Sequence, residues 1–128
     1  MFNKRWLRLD FYFKKANDYY NKKDYKKAIS LYQKSIETQG SEACSLYNSA
    51  VCYIKLKEYD KAIELLKQAI DIKMDHKYLF NLAYCYSLLG DNAKALTYFN
   101  WSWAYNNEDF ECKKAISMIL DSYNNSTK

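Results

Sequence analysis

The segment "DYKKAISLYQKSIE" (24–37) is written again as "EYDKAIELLKQAI" (58–70), with Ala28 and Ala62 34 residues apart. A third copy, "DNAKALTYFNWSWA" (91–104), puts Ala95 another 33 residues on. A period of this size belongs to small supersecondary units that stack on one another, because one such unit cannot bury its own apolar face. The repetition therefore constrains the fold more than any single motif does.

Within each copy the apolar residues recur at helical spacing on both sides of a short break. Tyr12, Ala16, Tyr19 and Tyr20 precede "NKKD", and Tyr25, Ala28, Ile29, Tyr32 and Ile36 follow it. The second copy breaks at "LKE" and the third at "LGD". The chain has no Pro and only two Gly, which leaves little for the left-handed turns of β-hairpins. The expectation is an all-α chain with helices near 9–21, 25–38, 42–55, 59–71, 76–88 and 92–105. Gly40 is expected to stop the second helix and Ser41 to cap the third. A seventh helix, about 109–123, carries Cys112, Ala115, Ile116, Ile119 and Tyr123 on one stripe and reads as a cap. The divisions expected are an N-terminal extension (1–8), repeats at 9–42, 43–75 and 76–108, the cap (109–123) and a tail (124–128).

Small residues explain why the copies must match. Ala16, Ala50 and Ala83 on first helices face Ala28, Ala62 and Ala95 on second helices, where a larger side chain would hold the backbones apart. Tyr32, Leu66 and Phe99 then fill the space between pairs. Trp103 shares a column with Ile36 and Ile70 and is expected in the core. Trp101 stands where the other copies have Lys34 and Gln68, so its ring is expected to face solvent, either covering the cap helix or marking a second contact surface. Trp6, with Phe2 and Leu7, either extends the first helix or shields the N-terminal edge.

Chemistry-bearing constellations are missing. There is one histidine, His76, no Gly-rich phosphate loop, and no pair of carboxylates in an evident cleft, so an enzyme is not expected. Cys44, Cys52, Cys85 and Cys112 form no C-x-x-C pair, so neither metal nor cofactor is expected and all four are read as buried, reduced thiols. No uncharged run is longer than 78–90, which is too short to span a bilayer, and the first residues lack the apolar stretch of a signal peptide, giving the expectation of a soluble, cytoplasmic protein. Residues 1–35 hold ten Lys and Arg against three Asp and Glu, while the remainder holds ten against twelve. Six of the cations, Lys14, Lys15, Lys22, Lys23, Lys26 and Lys27, flank one expected turn. They are either a solvated helix surface or a site for an anionic partner.

"ANDYYNKKDYKKAISLYQKSIE", "YNSAVCYIKLKEYDKAIELLKQAI" and "FNLAYCYSLLGDNAKALTYFN" together resemble the tetratricopeptide repeat family over residues 9–108. The family's usual opening Trp is Tyr12, Leu46 or Leu79 here, and its closing Pro is absent from every copy. The resemblance implies an α-solenoid of three antiparallel helix pairs whose first helices line a concave, peptide-binding groove. That face would hold Phe13, Asn17 and Tyr20, then Tyr47, Asn48, Val51 and Lys55, then Lys77, Phe80, Asn81 and Tyr84. Amides there suit a peptide backbone, aromatic rings its side chains and lysines a carboxylate.

One subgroup of the family grips the terminal carboxylates of chaperone tails with Lys, Asn, Asn, Lys and Arg. Asn17, Asn48 and Lys77 match three of these places, whereas Phe13 stands for the first Lys and Asn81 for the Arg. The reading is a non-catalytic scaffold, adaptor or co-chaperone-like module with a protein or peptide partner. The alternatives are an electrostatic binder of RNA or anionic membrane through the basic first copy, of which nucleic acid is the less expected, and a homo-oligomer formed through Trp101 or an open edge.

Overall fold

In the computed structural model, which describes residues 4–39 and 42–126, every regular element among the described residues is an α-helix. They are α1 (Lys4–Asn21), α2 (Tyr25–Gln39), α3 (Ala43–Lys55), α4 (Tyr59–Ile72), α5 (His76–Leu88), α6 (Asn92–Tyr105) and α7 (Phe110–Ser126). The expected spans hold to within a few residues, except that the first helix starts at Lys4 rather than near 9, so residues 4–8 continue it. The expectations for Gly40 and Ser41, for Phe2, and for the side chains of Trp6 and Leu7 lie outside the described residues. Glu42 occupies the N-cap position of α3 and makes no side-chain cap bond. The chain divides into two compact units, one ending at Lys73 and the other starting at Met74.

Three turns between paired helices share one construction. Lys23, Lys57 and Gly90 have φ of 63°, 61° and 83°. The amide of the next residue reaches back across each turn, Asp24 to Tyr19 O, Glu58 to Tyr53 O and Asp91 to Tyr86 O, all at 2.9 Å. Each turn is a left-handed helix stop that satisfies the last carbonyls of the helix. The same residue then begins the next helix: Asp24 Oδ1 accepts from the Lys27 amide at 3.3 Å and Asp91 Oδ1 from the Lys94 amide at 3.2 Å.

In the first unit α1 pairs with α2, α2 packs on α3, and α3 pairs with α4. Ala16, Ala28, Ala50 and Ala62 are fully buried, as the close approach of the helix pairs requires, and Tyr32 and Leu66 are buried beside them. Ser35 and Ser45 meet across the α2–α3 contact, Oγ to Oγ at 3.3 Å, so neither buried hydroxyl is stranded. In the second unit α5 pairs with α6, and α7 packs on α6. Ala83 and Ala95 are fully buried there, with Phe99 closing the core.

Three expectations are corrected. Cys44 is exposed, because it lies two positions from Leu46, on the opposite side of α3. Trp103 is only half-buried, as are Ile36 and Ile70 in the same column, so that column is a core margin. On α7, Cys112 and Ile119 are buried as expected, but Tyr123 is exposed, one turn beyond Ile119, the last buried residue among those described on the helix. Cys112 is tied in by its Sγ, which donates to Phe99 O at 3.1 Å. Burial pushes the Cys52 and Cys85 thiols up to about 12, which keeps both protonated and inert as filler residues.

Candidate functional site

Helical spacing puts Asn17 and Tyr20 on one face of α1, and Asn48 and Val51 on one face of α3. Between these faces the first unit opens a cleft of about 390 Å³, walled by those residues with Asn21 and Tyr47, and floored by Tyr32 of α2. The Tyr32 ring is 1% exposed, yet its hydroxyl reaches the cleft, where it donates to Asn17 Oδ1 and also engages the Asn48 amide. Burial raises the phenol well above its ordinary value of 10, so the hydroxyl keeps its proton and stays a donor. With Oδ1 of Asn17 occupied, the remaining hydrogen-bonding capacity of that side chain is its N–H groups. The cleft thus offers the Asn17 amide as a donor to a carbonyl or carboxylate oxygen.

The other groove candidates of this unit do different work. Phe13 is half-buried beneath the cleft, its ring edge-on to Tyr32 at 5.8 Å and 64°. Lys55 is exposed and lines no part of the cleft.

In the second unit Phe80 and Tyr84 of α5 line a separate cleft of about 380 Å³. Its far wall comes from α7, including Lys114, Ala115 and Met118, and its floor is Phe99, edge-on to Phe80 at 5.3 Å. Lys77 is exposed at the start of α5, where its amide is capped by Asp75 Oδ1 at 2.8 Å. Asn81 donates from Nδ2 to Lys77 O at 2.9 Å. Trp101 is 42% exposed, as its column implied, with its ring stacked on Tyr98 at 6.1 Å and 16°.

The helix pairs, their matching turns and the alanine columns meet a decisive match in sequence: the tetratricopeptide repeat model fits residues 8–75 and again 41–104, well over half of the chain. The chain belongs to the tetratricopeptide repeat family. Among its relatives, the Hsp70-Hsp90 organising protein of Plasmodium falciparum (isolate 3D7) is 32% identical over 66 residues, which are 52% of this chain and 12% of that protein. Human serine/threonine-protein phosphatase 5 is 36% identical over 64 residues, 50% of this chain and 12% of that protein. The matched stretch is thus about one-eighth of these relatives' own length.

Solved tetratricopeptide structures share the fold at low identity. The first such domain of Spaghetti (RPAP3), bound to the HSP90 peptide SRMEEVD, superposes with a TM-score of 0.86 at 18% identity, covering 90% of this chain and 92% of that one. The second domain of human RPAP3, in complex with the HSP70 peptide SGPTIEEVD, gives 0.84 at 20%, covering 91% and 98%. The Hsp90 co-chaperone Cns1 from Saccharomyces cerevisiae gives 0.88 at 19%, covering 98% and 42%.

Two residues of the α1–α3 cleft, Asn21 and Tyr32, lie outside the groove expected from the sequence. The repeat places Tyr32 in the core-filling column with Leu66 and Phe99, and its phenol is the only polar group of the three. That oddity was the available signal. The α7 wall of the second cleft likewise goes beyond the expectation of α7 as a cap alone.

Proposed function

We propose that this tetratricopeptide repeat chain is a non-catalytic adaptor that captures an extended, acidic peptide segment of a partner protein in the cleft between α1 and α3, in the manner of a co-chaperone. The observation that carries the reading is the Tyr32 hydroxyl, which donates to Asn17 Oδ1 and so leaves the Asn17 N–H groups for a ligand, and which also holds the Asn48 amide beside it. Donors held in advance lose little freedom when they meet peptide oxygens. The peptides held by the similar repeat domains, SRMEEVD and SGPTIEEVD, are rich in carboxylates, which supports an acidic ligand. Free thiols at Cys52, Cys85 and Cys112 favour a reducing, cytoplasmic setting.

The test is fluorescence anisotropy with labelled SRMEEVD and SGPTIEEVD peptides, set beside thermal melts followed by circular dichroism. Asn17→Ala with Asn48→Ala is expected to weaken capture at least tenfold, the loss of about 1.4 kcal/mol, while unfolding stays cooperative and the melting temperature falls by only several degrees, for the hydrogen bonds lost to Tyr32. Parallel losses of folding and capture, or unchanged capture, would remove the basis of the reading.

A further inference from the structure

A second concavity of the first unit lies between the α2 side and the α3–α4 turn. Its volume is about 500 Å³, and its lining is Lys26 and Ile29 of α2, Tyr53 of α3, Leu56 and Glu58 of the α3–α4 turn, and Lys61 of α4. None of these residues belongs to the cleft floored by Tyr32. Ile29 and Leu56, both half-buried, give it an aliphatic wall, and two ammonium groups stand at its rim.

The lysines here are placed by the repeat. Lys61 is held over the Tyr53 ring at 5.6 Å and beside Glu58 at 3.6 Å, which fixes its ammonium at the edge of the concavity. One copy earlier, Lys22 and Lys27 both cover the Tyr19 ring, at 5.4 and 4.9 Å. Lys26 makes no ion pair among the described residues, and Lys23 and Lys57 sit in the adjoining turns. Of the nearby carboxylates, Asp24 caps α2 and Glu58 faces Lys61, while Asp60 follows in the first turn of α4, so the lysines still outnumber them. A concavity walled by aliphatic groups and rimmed by cations in a surplus of positive charge is complementary to an anion carried beside an apolar side chain.

We propose that this surface is a second docking site, for an acidic peptide segment in which Glu or Asp alternates with Leu-type residues, independent of the α1–α3 cleft. The carboxylates would meet Lys26 and Lys61, and the aliphatic side chain would lie on Ile29 and Leu56. RNA fits less well, because single-stranded nucleic acid is held by open aromatic faces, and the rings at hand, Tyr19 and Tyr53, are already covered by lysines. A flat anionic membrane likewise leaves a concavity unfilled.

A fluorescein-labelled peptide of alternating Glu and Leu, titrated into the full chain at low salt and at about 0.15 M ionic strength, tests the site. Binding is expected to weaken with salt, and Lys26→Glu with Lys61→Gln is expected to raise Kd about tenfold. Lys26→Glu places an acid in the first turn of α2, where the helix dipole favours it, so the melting temperature should hold. Tyr32→Phe with Asn48→Ala is expected to leave this binding intact, which separates it from capture in the α1–α3 cleft. Three results overturn the proposal: no saturable binding, an affinity that the lysine variant leaves unchanged, or displacement of the peptide by oligouridylate or phosphatidylserine vesicles at lower concentration than by unlabelled peptide.

Discussion

Removing one oxygen atom tests the link between core and cleft. Tyr32→Phe keeps the buried ring and its edge contact with Phe13, and deletes the hydroxyl that joins Asn17 and Asn48. Each side-chain hydrogen bond contributes about 0.5–1.5 kcal/mol net, and because both amides line an open cleft they can turn to solvent, so the expected cost is about 1 kcal/mol. For a chain of this size that lowers the melting temperature by roughly 3–5 °C. The effect on capture is separate: each released amide gains a second, flipped orientation, and ordering two of them costs about 0.8 kcal/mol, close to fourfold in Kd.

The assay measures both quantities on one sample, with melts by circular dichroism and titration by anisotropy of labelled SRMEEVD. Asn48→Asp belongs beside it, because a carboxylate in the same place should repel an acidic peptide and weaken capture further than Tyr32→Phe does. Should Tyr32→Phe bind as tightly as the parent while Asn48→Ala binds poorly, the phenol would not be orienting the amides. Should Tyr32→Phe lose cooperative unfolding altogether, the residue would be core and nothing more.

The turns and the core give further expectations. Gly90→Ala, whose new Cβ meets no atom within 4 Å, should cost about 1 kcal/mol purely through its φ of 83°, whereas Lys57→Gly relieves the same backbone and should be neutral or slightly stabilising in a denaturant melt. Ala50→Leu should lower stability by about 1–3 kcal/mol, since its site has no exposed surface and two helices meet there. Burial holds the Cys52 and Cys85 thiols protonated to about 12, up from 9. Their contribution is therefore complete below pH 9 and is lost as pH rises toward 12, at about 1.4 kcal/mol per thiol and pH unit. Urea midpoints from pH 8 to 11 should show this slope, and Cys52→Ala should make it shallower.

What the sequence disclosed depended on how strongly packing dictates a side chain. The alanine columns were legible because each lies where two backbones nearly touch, and all six are fully buried. Helix limits were legible because a left-handed residue must end each first helix, though two of the three turns use Lys where Gly would be the better signal. Cys44 was readable and misread: its angle around α3 from Leu46 already put it outside. The bond from Tyr32 to Asn17 could not be read, because it joins residues 15 positions apart on different helices, and helical spacing reports only which face of its own helix a residue occupies.

The two clefts show how a repeat can keep a position and change its chemistry. Tyr32, Asn17, Asn48 and Val51 have Phe99, Tyr84, Ala115 and Met118 as counterparts, each 67 residues on, and both sets line a cleft. At the later cleft α7 therefore takes the part that α3 takes at the first, rather than only covering α6. The hydroxyl and both amides are gone, so the second cleft has lost what orients a donor toward a carboxylate. If the position alone decides geometry, restoring the three groups should restore the chemistry. Phe99→Tyr, Tyr84→Asn and Ala115→Asn together are expected to create a second acidic-peptide site, raising the stoichiometry measured by calorimetry from one to two when the Lys26 and Lys61 substitutions are also present. A stoichiometry that stays at one, in a variant that still melts cooperatively, would mean that the α1–α3 cleft works through more than its phenol and two amides.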